Sequence, residues 1–219
     1  MRMFFHANYF DRRKKVLFFL IAVVMFFTDV AIAGEGKRLL DRFLTDTITM
    51  QATFVQTLRT NEGEVLQQSS GQFYLNRPGR FRWNYTLPYL QEIVSDGEFV
   101  WIYDVELQQV TVQKQSTSLN NTPMALMQGK LDLGEAYSVS ELDNRGGIYR
   151  LKLTSKSGDV DFAEIIVGVD VTGLRFMQLR DQFEQTTDIV FDDLKSNISL
   201  ASPLFKFVPP EGVDVLGGS

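Results

Sequence analysis

The chain has no cysteine, and its only histidine is His6. The lack of cysteine excludes disulfides, thiolate metal sites and lipid attachment at an N-terminal cysteine. Because no histidine follows residue 33, Ser-His-Asp triads, Cys-His pairs and histidine metal sites are excluded from the rest of the chain. Several large classes of hydrolase and metalloenzyme are therefore ruled out.

The first 33 residues have the pattern of a secretory signal peptide. A basic cluster at residues 12–15 precedes the apolar run Val16–Phe27, and Ala31-Ile32-Ala33 offers the small residues of a cleavage site. The run has twelve residues, short of the roughly twenty that a spanning helix needs, so a membrane anchor is the weaker alternative. We expect cleavage after Ala33 and export by the general secretory route rather than the twin-arginine route.

Removal of residues 1–33 makes the chain more acidic. It takes away five of the 22 Lys and Arg residues and two of the 27 Asp and Glu residues, so the net charge changes from −5 to −8. Such a balance disfavours nucleic acids and anionic membranes as partners. Residues 34–219 are long enough for one sizeable core, and we expect a single domain there.

Two kinds of periodicity divide the chain into helices and strands. Leu39, Leu40, Phe43 and Leu44 have helical spacing and predict an amphipathic helix over Gly36–Thr47. A short apolar helix is predicted over Met124–Gln128, after Pro123. The segment 133–141 is ambiguous between helix and loop.

The rest of the pattern is that of strands and tight turns. Pro78-Gly79 and Asp96-Gly97 divide the segment 71–103 into antiparallel strands. The other predicted strands cover residues 48–58, 65–76, 99–113 (bent or broken near Asp104), 148–156, 162–169, 173–180, 184–194 and 205–208. About ten or eleven strands with few helices predict a mainly β (α+β) fold, in which helices cover the concave side of one strongly curved sheet.

The turn at Pro78-Gly79 carries an unusual combination of side chains. Arg77 and Arg80 flank it, and Phe81 and Trp83 follow on one face of the next strand. Periodicity alone leaves two interpretations open. In the first, the aromatic residues are ordinary core and the arginines are ordinary loop charges. In the second, the cations lie beside an apolar binding surface.

Carboxylate pairs offer the only candidates for acid–base chemistry. They are Asp192 with Asp193 and Asp159 with Asp161, at turns and strand ends without a neighbouring basic or metal-ligand set. Charged residues at such places are usually solvated. No phosphate-binding glycine loop or calcium loop is present. We expect no enzymatic activity, no metal and no cofactor.

Several motifs together resemble the LolA family of periplasmic carriers of outer-membrane lipoproteins. The most specific are RPxxFxW at Arg77 and SDGxxxWxY at Ser95, at this separation, and the weakest match is over residues 136–172. The shared pattern comprises QATFVQT from Gln51, GQFYLNRPGRFRWNY from Gly71, Gln91 with IVSDG from Ile93, VWIYD from Val100, NTP from Asn121 and FVPPEGVDV from Phe207.

The resemblance implies an incomplete antiparallel barrel with a helical lid over a hydrophobic cavity that holds acyl chains. It implies that Arg77 is a latch, bonded in the empty state to lid carbonyls near Leu44, Met127 and Gln128. It also implies that Phe81 is needed to accept cargo. The expected lining of the acyl cavity is Phe54, Phe73, Leu75, Phe81, Trp83, Trp101, Tyr103, Met124 and Leu126.

This chain departs from the family in part of the lid. Met124 stands where the best-known members have an aromatic residue, and Gly129 replaces a larger residue. The details of lid closure are therefore not carried over.

The partners implied by the resemblance are lipoprotein cargo, the inner-membrane ABC transporter LolCDE and a LolB-like outer-membrane receptor, with the carrier a periplasmic monomer. Two other functions stay open, a carrier of another lipid or glycolipid and a lipoprotein-binding sensor. A sensor would need a further partner-binding domain, for which residues 34–219 leave little room. A hydrolase is the weakest alternative.

Overall fold

The computed structural model describes residues 34–118, 133–156 and 162–217. Within these ranges the helices are α1 (Glu35–Asp46), α2 (Gln115–Ser118), α3 (Leu133–Ala136) and a 3-10 helix (Ser202–Phe205). The strands are β1 (Thr49–Arg59), β2 (Val65–Asn76), β3 (Arg80–Leu87), β4 (Gln91–Asp96), β5 (Phe99–Asp104), β6 (Gln109–Lys114), β7 (Tyr137–Arg145), β8 (Ile148–Ser155), β9 (Phe162–Asp170), β10 (Gly173–Asp181), β11 (Thr186–Ser196) and β12 (Asp214–Gly217).

All twelve strands belong to one sheet, in the order β12-β6-β5-β4-β3-β2-β1-β11-β10-β9-β8-β7. The strands β1–β6 form one meander and β7–β11 a second, and antiparallel pairing of β1 with β11 joins the two. Strand β12 pairs in parallel with β6. Since β7 and β12 are the two edges of the sheet, the barrel is incomplete, and the mainly β prediction is confirmed.

One face of the sheet carries the main hydrophobic core, and we call it the concave face. Residues from β1–β5 and β7–β11 contribute alternate side chains to a single cluster, as half-buried strands with period two must. Helix α1 covers part of this face with Leu39, Leu40 and Phe43, next to β7–β10. A Cβ on Gly36 would lie 2.8 Å from the Cβ of Tyr149, so a glycine lets the helix approach the sheet closely.

The first turn of α1 is capped from the sheet. Its N-cap residue, Gly34, has no side chain to accept hydrogen bonds from the first turn. Instead the backbone N–H of Lys37 donates to Oε1 of Glu141 on β7, at 2.8 Å. This contact, 104 residues apart in sequence, fixes the helix start on the second meander.

The opposite face carries a second apolar layer under the C-terminal segment. Val94, Val110 and Val112 are buried there, together with Phe205 of the 3-10 helix. Arg82 donates a hydrogen bond from Nη1 to the carbonyl oxygen of Leu204 at 3.3 Å. The C-terminal segment thus crosses β3 and β4 before β12 reaches the edge strand β6.

The structure corrects several predicted boundaries. The predicted strand 99–113 is the hairpin β5–β6, broken after Asp104. The strand predicted over 205–208 is wrong, because a 3-10 helix ends at Phe205 and irregular chain follows. Strands β7 and β12 were not predicted, so the described residues contain twelve strands rather than ten or eleven. The helix predicted over Met124–Gln128 lies outside the described residues.

In the part of the chain that the structure describes, every helix is too short or too polar to cross a bilayer.

Candidate functional site

Arg77 joins the β2–β3 turn to the end of helix α1. Its Nη1 donates to three backbone carbonyl oxygens, of Phe43 at 3.0 Å, Leu44 at 2.8 Å and Thr47 at 2.8 Å. The Arg77 guanidinium carbon also lies 5.3 Å from the centre of the Phe43 ring. Of the expected latch partners, the structure brings Leu44 to Arg77, and Met127 and Gln128 lie outside the described residues.

The position of Arg77 suits the chemistry of a helix C-terminus. The last carbonyl oxygens of a helix have no partner within it and carry partial negative charge, so a cation there is favourable. Arg77 is nevertheless buried, with 7% of its surface exposed, and burial lowers its pKa to about 10. The guanidinium therefore stays protonated at neutral pH, and its contact with α1 is charged.

The turn that carries Arg77 is itself held from two sides. The carbonyl oxygen of Gly79 accepts hydrogen bonds from Nε2 of Gln115 at 2.6 Å and from Oγ of Ser95 at 3.0 Å. Both side chains are buried. Gly79 has φ 76°, a left-handed conformation that favours glycine. The sequence analysis did not identify Gln115, because its contact with the turn joins residues 36 positions apart.

An aromatic cluster lines the concave face next to this turn. The Trp83 ring centre lies 4.8 Å from that of Phe54 and 4.8 Å from that of Phe73, with edge or tilted geometry. Leu75 and Phe81 are fully buried in the same cluster. Five of the residues expected to line the acyl cavity are therefore brought together on one face.

Sequence reasoning missed Phe191 as a member of this cluster. Its ring centre lies 6.0 Å from that of Phe73 and 6.2 Å from that of Trp83. Phe191 is opposite Phe54 because β11 pairs with β1, although 137 residues separate the two in sequence. Alternation along β11 marks Phe191 as inward-facing, but only the pairing of the two meanders shows which residues it meets.

Trp101 and Tyr103 do not join the cluster, and here the prediction is corrected. Val100 and Ile102 face the concave side, so the two aromatics between and beside them point to the other face. There both rings lie 5.8 Å from the ring of Phe207 in the C-terminal segment. Met124 and Leu126, the remaining expected lining residues, lie outside the described residues.

A polar pocket of about 380 Å³ opens at the end of the sheet opposite the Arg77 turn. It lies where the β3–β4 and β5–β6 turns meet the ends of β1 and β2. The pocket is lined by Gln56, Gln67, Ser69, Tyr85, Pro88, Tyr89, Gln91, Asp104, Glu106 and Leu107.

The carboxylates singled out in the sequence form no reactive centre. Asp192 and Asp193 both lie on β11, exposed, and a guanidinium nitrogen of Arg175 is 4.0 Å from Asp192. Asp159 and Asp161 lie outside the described residues. Among residues 34–118, 133–156 and 162–217, no group of three or more Asp and Glu side chains is arranged to hold a metal ion.

An open antiparallel sheet with an aromatic concave face, and a helix fastened over it by a buried arginine, defines a binding protein for an apolar ligand. Comparison with known proteins gives the family. The family model "Outer membrane lipoprotein carrier protein LolA" matches residues 45–208, about three quarters of the chain. The chain belongs to this family.

Relatives named outer-membrane lipoprotein carrier protein match along most of their length. The protein of Methylococcus capsulatus is 42% identical over 176 residues, 80% of this chain and 85% of its own. That of Nitrosomonas europaea is 38% identical over 91% of this chain and 98% of its own. An uncharacterised conserved protein of Thermus thermophilus has a solved structure with TM-score 0.51 and 17% identity, covering 82% of this chain and 97% of its own. That likeness shows the fold alone.

Proposed function

We propose that this chain carries lipoproteins between membranes by shielding their acyl chains against its concave face. The observation that carries the proposal is the joint presence of the Phe54, Phe73 and Trp83 cluster and of a helix held over the same face by Arg77. Each methylene removed from water is worth roughly 0.8 kcal/mol. An acyl chain on this face therefore has little tendency to escape into water.

The Arg77 contact gives the carrier a way to bind without using nucleotide or metal. In the ligand-free state, Arg77 holds the end of α1, and entry of an acyl chain breaks these hydrogen bonds in exchange for apolar contact. Loading and release then differ by a small free energy, since the charge-assisted hydrogen bonds of Nη1, whose two hydrogens are shared among three carbonyl oxygens, oppose the burial of the chain. Leu44, Met127 and Gln128 are the proposed lid residues, and Met124 and Leu126 the proposed lining beyond the described residues.

The place and the partners follow from the same proposal. Residues 1–33 act as a signal peptide, and residues 34–219 work in the periplasm as a monomeric domain. There the carrier accepts lipoproteins released by LolCDE, a step for which Phe81 is needed, and delivers them to a LolB-like receptor. The absence of histidine and cysteine from residues 34–219 and the family membership both support a carrier rather than an enzyme.

The test is to purify residues 34–219 from the periplasm and identify the bound molecules by mass spectrometry. Acylated lipoprotein is the expected result. A glycolipid or phospholipid in its place would contradict the proposal and support a carrier of another lipid. The loaded protein is then mixed with outer-membrane vesicles that contain or lack a LolB-like receptor, and transfer is expected only with the receptor.

A further inference from the structure

The polar pocket described above continues the concave face directly. Along the sheet, Trp83, Ile93 and Ile102 are paired side by side on neighbouring strands and form an apolar row. Two residues further along each strand, the paired residues are Tyr85, Gln91 and Asp104, and the row is polar. The same face therefore changes from aliphatic and aromatic to amide and carboxylate within one repeat of the strand, roughly 7 Å.

Tyr85 lies at the boundary between the two regions. Its ring packs at 5.1 Å from the ring of Phe54, and its hydroxyl donates to Oε1 of Gln56 at 3.0 Å. Burial raises the pKa of Tyr85 to about 12, so the hydroxyl remains a neutral donor at physiological pH. The neighbouring Trp83 has a buried indole N–H without an acceptor among the described residues. Tyr85 thus contacts the apolar face with its ring, and it is also part of the lining of the polar pocket.

The charged side chains that line the pocket are all acidic. Its lining contains the amides of Gln56, Gln67 and Gln91, the carboxylates of Asp104 and Glu106, and no Lys or Arg. An anionic group such as a lipid phosphate would meet two carboxylates and no cation there, and burial of an unpaired charge is costly. Neutral amide and ester groups can instead form hydrogen bonds with the side-chain amides, and the two carboxylates would attract a cation.

From this juxtaposition we propose that the pocket binds the polar end of the cargo, namely the amide and ester groups that join the acyl chains to the lipoprotein and the first peptide units after them. The inference rests on the proposed function, since it presumes that the acyl chains lie on the concave face. The pocket selects neutral or basic N-terminal segments and disfavours acidic segments and phosphate headgroups. It therefore gives the carrier a basis for distinguishing lipoproteins from phospholipids.

The experiment compares probes with identical acyl chains and different polar ends. Synthetic diacylated lipopeptides with Ser-Lys-Lys, Ser-Ser-Ser or Ser-Asp-Asp after the acylated residue compete against a fluorescent fatty acid on residues 34–219, with phosphatidylglycerol as a fourth competitor. We expect the lysine peptide to bind about tenfold more tightly than the aspartate peptide at low salt, since two carboxylates face it.

Two variants assign that preference to the pocket. Asp104→Asn with Glu106→Gln should reduce the ratio of the affinity for the lysine peptide to the affinity for the aspartate peptide to about threefold or less. The asparagine retains the oxygen that accepts the Leu107 N–H at 3.0 Å, so the β5–β6 turn should be preserved. The matched control, Glu98→Gln with Asp193→Asn, removes two exposed charges elsewhere and should leave the ratio near that of the native protein.

A third variant tests the amides. Gln56→Leu with Gln91→Leu should weaken all three lipopeptides at least threefold more than it weakens the fatty acid, which has no amide or ester group to pair with these side chains, and Tyr85→Phe should act in the same direction. If the native protein binds no lipopeptide, the proposed function fails. If it binds all of them and the pocket variants change neither the peptide ratio nor the lipopeptide-to-fatty-acid ratio, this inference alone is overturned. Thermal midpoints near that of the native protein establish that each variant is folded.

Discussion

At the scale of single residues, Arg77 carries most of the switching behaviour that we propose. Its Nη1 contacts three carbonyl oxygens at the end of α1. The neutral side chain of Asn197 adds one hydrogen bond there, from its Nδ2 to the carbonyl oxygen of Asp46 at 2.9 Å. A hydrogen bond from a charged group contributes about 1.5–3 kcal/mol. Loss of Arg77 would therefore shift the balance between the ligand-free and loaded states.

We expect Arg77→Leu to fold and to load cargo, but to release it poorly. Without the hydrogen bonds to α1, the ligand-free state loses stability, so the loaded state is favoured by comparison. Transfer from loaded carrier to receptor-containing vesicles measures the effect. We expect transfer to slow tenfold or more, which corresponds to a loss of roughly 1.4 kcal/mol or more in the stability of the ligand-free state relative to the loaded state. The control is Arg80→Leu in the same turn, because within the described ranges the Arg80 guanidinium donates to Asn76 and not to α1. Normal transfer by Arg77→Leu would contradict the latch.

Substitution of Phe81 tests whether this residue lines the cargo cavity or belongs to an ordinary packed core. We expect Phe81→Glu to fold but to fail to capture lipoprotein from membrane vesicles, because the carboxylate can reach water when the lid moves but repels an incoming acyl chain. Phe205→Glu is the comparison, since Phe205 is equally buried, at 1% exposure, on the opposite face. It should lower the thermal midpoint strongly, as a charge in a packed layer does. An equally large fall in the thermal midpoint of Phe81→Glu would show that Phe81 belongs to the ordinary packed core.

At the scale of elements, local signals predicted the first meander well and the second less well. The turns at Pro78-Gly79 and Asp96-Gly97 contain residues that only a few turn geometries accept, so β2–β5 could be read directly. Strand β7 was missed because its inward side includes Glu141, whose role as a helix cap depends on α1. Strand β12 was missed because all four of its residues are exposed and only pairing with β6 defines it.

The same limit explains which of the expected lining residues share the concave face and which do not. Alternation groups Trp101 with Tyr103 and Val100 with Ile102, but it cannot say which pair faces the concave side. Trp101 and Tyr103 lie on the other face, where the C-terminal segment supplies Phe207 as a second apolar cover. Phe54, Phe73 and Trp83 share one face because the pairing of β1, β2 and β3 sets their register.

The C-terminal segment should therefore contribute to stability and not to cargo capture. Phe207→Ala removes a half-buried ring from Trp101 and Tyr103, and we expect a loss of about 1–3 kcal/mol in the free energy of unfolding. Urea unfolding measures it, with capture of lipoprotein as the second readout. Val208→Ala is the matched control, because Val208 is 81% exposed next to it. Impaired capture by Phe207→Ala at unchanged stability would place cargo on this face instead.

At the scale of the whole molecule, the two ends of the concave face have different chemistry. One end has a buried cation and a helix, the middle has aromatic rings, and the other end has amides and carboxylates. An amphipathic molecule can align along this gradient with its chains toward Arg77 and its polar end in the pocket. The sheet is thus suited to hold one end of a lipoprotein while the remainder of the cargo stays in water.

The final prediction concerns the absence of catalysis. Residues 34–219 contain no histidine or cysteine, and Asp104 and Glu106 in the pocket lack a neighbouring Lys or Arg in its lining that could assist them. The pocket contains the Ser69 hydroxyl, but without a histidine or lysine base to activate it a serine beside two carboxylates supplies little acceleration. We therefore expect purified protein to hydrolyse no ester or peptide bond in the bound lipopeptide during prolonged incubation, and loading to be unaffected by EDTA. Mass spectrometry of the recovered lipopeptide checks the first point and vesicle transfer the second. Turnover that EDTA abolishes would reject the carrier assignment, because the protein would then be a metal-dependent hydrolase that retains its substrate.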